Sequence, residues 1–88
     1  MDSAAHVEVV LELLSRLGVS VRFERMAGSG GGLCEVRGRR MVFVDLDADI
    51  ATRLERSVEA LAACPELETV YVPPAIRELI DRVKGQSA

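Results

Sequence analysis

The sequence has few of the residues from which most catalytic and metal-binding sites are built. Its 88 residues include one histidine, His6, one lysine, Lys84, two cysteines and no tryptophan. A single histidine excludes a site with several histidine ligands, and it leaves little from which to assemble a Cys-His-Asp triad. His6 falls in the first turn of a predicted helix, where a solvated side chain is expected. We therefore predict no bound metal and no cofactor.

Long hydrophobic runs are also absent. No apolar run approaches the roughly 20 residues that span a bilayer, and the N-terminus lacks the basic and apolar segments of a signal peptide. Cys34 and Cys64 are too few for a disulfide scaffold, so we expect a reducing, cytoplasmic environment and buried thiols. With 49% hydrophobic and 28% charged residues, the composition predicts one folded domain over residues 1–88 without membrane contact.

Charge is distributed unevenly along the chain. The net charge of −3 argues against a general nucleic-acid binder. Five arginines lie between positions 19 and 40, and three of them, Arg37, Arg39 and Arg40, cluster at a predicted hairpin. Seven acidic residues lie between positions 45 and 68. The pattern predicts a basic hairpin followed by an acidic region.

Hydrophobic periodicity predicts a helix, three strands, a helix, a short strand and a final helix. The helical segments, marked by apolar residues at a period near 3.6, are residues 4–17, residues 50–63 and a segment that begins at 73–74. The strand segments, marked by alternation or by short apolar runs, are residues 19–24, 33–37, 40–46 and, shorter, 68–72. Ser3 can cap the first helix and Asp47 or Asp49 the second, while Gly18 and Gly85 suit the ends of the first and last.

This order predicts an α+β fold in which three helices pack on a small antiparallel sheet of three to four strands. Gly38 suits a tight, primed turn between the second and third strands. The third strand is apolar on both faces, which predicts a central position in the sheet. The expected core includes Val44, Leu54, Leu61 and Ile80. Truncation of Leu54 or Leu61 to alanine is predicted to cost roughly 2–5 kcal/mol.

Residues 28–50 join a glycine run, a hydrophobic strand and three aspartates, and they raise the possibility of a phosphate or metal site. A P-loop needs a lysine and a hydroxyl residue after its glycines, and a dinucleotide loop needs a helix there. Here a strand that begins at Leu33 follows the glycines, so no helix N-terminus is available to bind an anion. We therefore expect the glycine run to be a flexible connection between two strands.

Asp45, Asp47 and Asp49 follow the third strand at alternate positions. The segment Asp45-Leu46-Asp47 looks like the first motif of the haloacid-dehalogenase phosphatases, in which one aspartate is the nucleophile and the next an acid and base. The glycine and threonine of that motif are replaced here, and a calcium loop would need glycine at Ile50. The preferred interpretation is a strand end and a helix cap. The alternative is a metal-dependent enzyme, or enzyme subunit, that uses the three aspartates with a hard cation.

Three segments of the chain form a wider pattern. They are a helix that ends in Arg16-Leu17-Gly18-Val19, a hairpin that reads Gly32-Leu33-Cys34-Glu35-Val36-Arg37-Gly38-Arg39, and a strand Val42-Phe43-Val44-Asp45 before a capped helix. In this order they resemble the N-terminal half of the ImmA/IrrE-type zincin metallopeptidases. The second helix of that family carries H-E-x-x-H, whose histidines bind zinc while the glutamate activates water. The matching positions here read Glu59-Ala60-Leu61-Ala62-Ala63, so the resemblance implies a zincin-like scaffold without its zinc site or peptidase activity.

The lack of a complete catalytic constellation and the uneven charge predict a small non-catalytic module for protein interaction or regulation. Unpaired edge strands recruit other chains unless they are covered or charged, and basic and acidic patches favour encounter. We expect a homodimer, or a complex with an acidic protein partner, that engages the hairpin through Arg37, Arg39 and Arg40. The alternative is a monomer whose charges are all solvated.

Overall fold

Helices and strands follow one another in the predicted order, with one exception. The computed structural model describes residues 2–86. The helices are α1 (Ser3–Arg16), α2 (Ile50–Ala62) and α3 (Pro74–Gln86), and the strands are β1 (Ser20–Glu24), β2 (Gly31–Val36) and β3 (Arg39–Asp45). Three helices and a three-stranded sheet confirm the α+β class.

The exception is the segment over residues 68–72, where the sequence predicts a short strand. A 3-10 helix at Leu67–Thr69 is found there instead. The Thr69 N–H and hydroxyl both donate to the Glu66 carbonyl, at 2.9 and 2.6 Å. These bonds close the chain into a turn above the buried Leu67 side chain. Within residues 2–86 the sheet therefore has no fourth strand.

The sheet is mixed rather than wholly antiparallel. β3 lies in the middle, as its two apolar faces predict, and β2 pairs with it in the expected antiparallel direction. β1 departs from the expected arrangement because it pairs with the other side of β3 in parallel, with Val21 opposite Val42. The connection from β1 to β2 crosses the end of β3, so β3 inserts between the two strands that precede it.

A two-residue turn joins β2 to β3, as Gly38 predicts. Arg37 and Gly38 have φ angles of 52° and 78°, both in the left-handed region. Two such residues in succession form a primed turn, whose twist matches that of the flanking strands. The turn fixes the register of the hairpin, in which Val36 lies opposite Arg39.

Helix ends follow the expected chemistry with two differences. Asp2, rather than Ser3, caps α1 by accepting a backbone hydrogen bond at 2.9 Å, and its charge also suits the helix dipole. Asp49 caps α2 in the same way at 2.7 Å. Gly18 follows α1 with a φ of 82°, as expected for a glycine that ends a helix. Gly85 lies inside α3 rather than ending it.

The core lies between the helices and one face of the sheet. α1 and α2 contact the strands, and α3 packs on α2. Val44, Leu61 and Ile80 are buried as predicted, whereas Leu54 is half-buried and packs against the edge of the core. Within residues 2–86, every helix is too short or too polar to cross a membrane.

Candidate functional site

The loop over residues 25–30 crosses the carboxyl end of β3. Because β1 and β2 lie on opposite sides of β3, the chain must pass over the end of that strand to connect them. Ala27, Gly28 and Gly30 have positive φ angles of 57°, 81° and 98°. Such angles cost glycine little, so the glycine run allows the loop to turn tightly over the strand.

Asp45, the last residue of β3, anchors this loop. Its side chain is fully buried. Oδ1 accepts hydrogen bonds from the N–H groups of Met26 at 3.0 Å and Asp47 at 2.8 Å, and Oδ2 accepts from the Gly30 N–H at 3.0 Å. The glycine-rich loop therefore surrounds an anion, but the anion is a carboxylate of the same chain. The donors that bind Asp45 are not free for a phosphate group.

Asp47 and Asp49 also have partners within the chain. Asp47 accepts from the Ala27 N–H at 3.1 Å and from the Arg25 guanidinium at 2.8 Å, while Asp49 caps α2. In the part of the chain that the structure describes, no three His, Cys, Asp or Glu side chains are grouped so as to hold a metal ion. The metal-dependent alternative therefore stays a prediction that none of these contacts favours.

The surroundings of Asp45 also set its titration. Burial opposes the charged form and alone would raise the pKa of this carboxyl. The N–H donors of Gly30, Asp47 and Met26 outweigh burial, so the pKa of Asp45 lies below its ordinary value. Because folding lowers this pKa, the ionised carboxylate stabilises the fold fully above a pH of about 4. That contribution is lost as the pH falls through the lower, folded-state pKa.

We expect Asp45→Asn to loosen the loop at neutral pH. The asparagine amide presents N–H donors where a carboxylate oxygen now accepts, so at least one of the Met26, Gly30 and Asp47 N–H groups would lose its acceptor. Amide hydrogen exchange in the loop should accelerate by about tenfold or more. The matched control is Asp49→Asn, because asparagine caps a helix as well as aspartate does. Equal acceleration in both variants would contradict the anchoring role of Asp45.

The structure places the three hairpin arginines in different surroundings. The Arg40 guanidinium donates to the Glu66 carboxylate at 2.9 Å and to the Leu17 carbonyl at 2.8 Å, and the first of these bonds lowers the pKa of Glu66. Arg40 thus links β3 to the end of α1 and to the turn after α2. Arg37 and Arg39 are exposed, and neither forms an ion pair with another residue in 2–86. Only these two are available to a partner.

The acidic region after the hairpin is largely paired inside the chain. Besides the three aspartates, Glu59 pairs with Arg56 at 3.3 Å and Glu68 pairs with Arg77 at 3.1 Å. Exposed ion pairs such as these contribute little to stability. They do neutralise part of the negative charge with which the acidic region could attract a basic surface. A contact between the basic hairpin and the acidic helix of a second copy therefore has less charge to draw on than the sequence indicates.

A groove of about 190 Å³ runs between β2 and α2. It is lined by Gly31, Gly32 and Leu33 on the strand and by Arg56, Glu59, Ala60 and Ala63 on the helix. The three positions that match the histidines and the glutamate of the zincin motif, Glu59, Ala60 and Ala63, lie in this groove. Sequence reasoning did not single out the groove, because glycines and alanines carry no functional signal of their own. The sequence feature that indicates the groove is β2 itself, an edge strand with only one charged residue.

The histidine and the two cysteines are partly or fully enclosed. His6 is half-buried rather than solvated, and its Nε2 is buried without a hydrogen-bond partner among residues 2–86. Cys64 is buried, its thiol donates to the Ala60 carbonyl at 3.4 Å, and burial raises its pKa. Cys34 is half-buried in β2. The prediction of buried thiols is thus confirmed for Cys64 and is only partly correct for Cys34.

Comparisons with protein-family models, with curated proteins and with solved structures find no match to this chain. The resemblance to the ImmA/IrrE-type zincins therefore stays a prediction that depends on the residues quoted for it.

Proposed function

We propose that the protein is a small non-catalytic module that acts in the cytoplasm and binds another protein through the tip of the β2–β3 hairpin. The partner surface is acidic, and the guanidiniums of Arg37 and Arg39 contact it. Arg40 is not part of this surface, because its guanidinium is held by Glu66 and Leu17.

The observation that carries this proposal is the unequal pairing of the arginines. Six arginines in residues 2–86 form ion pairs with carboxylates, at distances of 2.8–3.3 Å. Four arginines in this range form none. Arg53 donates to two backbone carbonyls instead, and Arg82 lies by itself on α3. Arg37 and Arg39 differ from these because the primed turn places both at one end of the sheet. Arginine binds carboxylates through two parallel N–H bonds, so two unpaired arginines next to one turn are suited to acidic side chains.

The conformation of Arg37 supports the same conclusion. Its φ of 52° is a left-handed value that asparagine or glycine adopts more easily in a primed turn. An arginine in this conformation costs the turn roughly 1 kcal/mol. Since its side chain makes no compensating ion pair within the described chain, the residue suits a role outside the fold.

Affinity capture from the host cytoplasm tests the proposal. The baits are the natural chain, a double variant with Arg37→Glu and Arg39→Glu, and a control with Arg82→Glu and Lys84→Glu. The control makes the same charge change at exposed positions of α3. We expect the natural chain and the control to retain the same acidic protein, and the hairpin variant to retain about tenfold less of it.

Two outcomes would contradict the proposal. Equal capture of the same proteins by all three baits would remove the hairpin from the interaction. Capture of no protein by any bait would contradict the assignment as an interaction module. Circular dichroism of the hairpin variant should match that of the natural chain, because neither side chain has a partner in the described fold.

A further inference from the structure

β2 is the less protected edge of the sheet. β1, the other edge, carries the ion pair of Arg22 and Glu24 and leads into the loop that Asp45 anchors. β2 has a single charged residue, Glu35, and no lysine or proline. Natural proteins protect edge strands with charge, proline or a covering element, because unpaired backbone groups recruit other chains. The free side of β2 is therefore the edge most open to pairing.

The two-residue turn determines which backbone groups of β2 are free. In such a hairpin the two residues that flank the turn form a hydrogen-bonded pair, and every second residue of the strand after that pair also bonds to the neighbouring strand. The intervening residues direct their N–H and C=O groups to the free edge. In β2 these residues are Gly31, Leu33 and Glu35.

We propose that β2 pairs antiparallel with β2 of a second copy of this chain, about a two-fold axis that passes through Leu33. The inference rests on the proposed interaction function, and it adds a second surface and names its partner. In this register Leu33 faces Leu33 of the second copy. Gly31 of each copy faces Glu35 of the other, and Gly32 faces Cys34.

Hydrogen bonding and side-chain size select this register. It alone pairs all the outward N–H and C=O groups of Gly31, Leu33 and Glu35 with groups of the second copy. An axis through Cys34 leaves the groups of Gly31 unpaired, and an axis through Glu35 sets two carboxylates opposite each other, which is destabilising. Every paired side chain other than Leu33 meets a glycine, so the strand is complementary to itself.

The groove between β2 and α2 is suited to the leucines at the axis. Leu33 is 37% exposed and lies on the face of the sheet that α2 covers, opposite the buried Val42. On the helix side of the groove, Ala60 has a short side chain that leaves space above it. Arg56 and Glu59, the two charged residues on this side, pair with each other. Because these two charges pair and the other two residues on this side are alanines, the helix side has no net charge to attract a charged peptide, and the two alanines offer contact to an apolar side chain.

Complementary substitutions at Leu33 test the axis. Leu33→Lys and Leu33→Glu each place like charges opposite one another, so we expect either variant alone to dimerise at least about tenfold more weakly than the natural chain in sedimentation equilibrium. An equimolar mixture of the two should regain the dimer as a mixed species. Val36→Lys is the matched control, because Val36 is also exposed in β2 but directs its backbone groups to β3.

Several results would overturn this inference. A natural chain that stays monomeric up to about 1 mM would do so, as would a Leu33→Lys variant that dimerises normally or a mixture that stays monomeric. Shifts of the β2 amide signals when an extended peptide is added to a monomer would identify the peptide as the occupant instead. None of these results affects capture through Arg37 and Arg39, so the two proposals fail separately.

Discussion

Gly31→Ala is expected to cost the protein roughly 3–5 kcal/mol, which is a large part of the stability of a domain of this size. Gly31 has a φ of 73°, and a Cβ atom at this position would overlap the backbone carbonyl of Phe43 on β3. A backbone atom in a paired strand cannot move aside as a flexible side chain can. The substitution should therefore separate the start of β2 from the sheet, with a large fall in the midpoint of urea unfolding.

Gly18→Ala provides the control for this prediction. Gly18 has a similar φ of 82°, but a Cβ atom there would meet no other atom within 4 Å. The control variant should lose only the roughly 1–2 kcal/mol of stability that a left-handed backbone conformation costs alanine relative to glycine. Similar losses at the two positions would mean that the left-handed conformation, and not the approach of β3, explains the glycine at position 31.

Leu61→Ala is expected to cost about 3–5 kcal/mol, because Leu61 is fully buried in the centre of the core. The sequence assigns the same cost to Leu54, which lies two helical turns earlier on the same face of α2. In the structure Leu54 is only half-buried and lines an open groove with Leu79 and Arg82. Surrounding side chains and water can fill part of the space that its truncation leaves.

We therefore expect Leu54→Ala to cost only about 1–2 kcal/mol. Chemical unfolding of both variants under the same conditions would measure the difference. Equal costs would mean that the groove closes over Leu54 in solution. A smaller cost at Leu61 than at Leu54 would contradict the assignment of the core.

The elements of the fold could be predicted from the sequence because each depends on nearby residues. The period of the apolar positions defines the helices, and Gly38 defines the turn of the hairpin. The partner of β1 could not be predicted, because alternation shows that a strand is half-buried but not which strand lies beside it. That choice depends on the loop over residues 25–30, whose path is set by a carboxylate at the far end of β3.

The candidate sites divide in the same way. For Asp49 the interpretation as a helix cap is correct, because the cap is formed with the N–H of Thr52, only three residues away. The role of Asp45 depends on donors 15 and 19 residues away in the sequence, and no local pattern indicates it. Likewise Arg40 resembles its two neighbours in sequence, and only its distant partners Glu66 and Leu17 distinguish it from them.

Because β1 pairs with β3 rather than with its neighbour in sequence, the sheet forms in two steps. The β2–β3 hairpin is a local step, and the pairing of β1 with β3 is a non-local one. The hairpin of β2 and β3 joins neighbouring segments through a favourable turn, and such hairpins form within about 1–10 μs. β1 can dock only when β3 is already in place, because its partner residues lie about 20 positions further along the chain. We infer that β1 and the loop that follows it are the last part of the sheet to form.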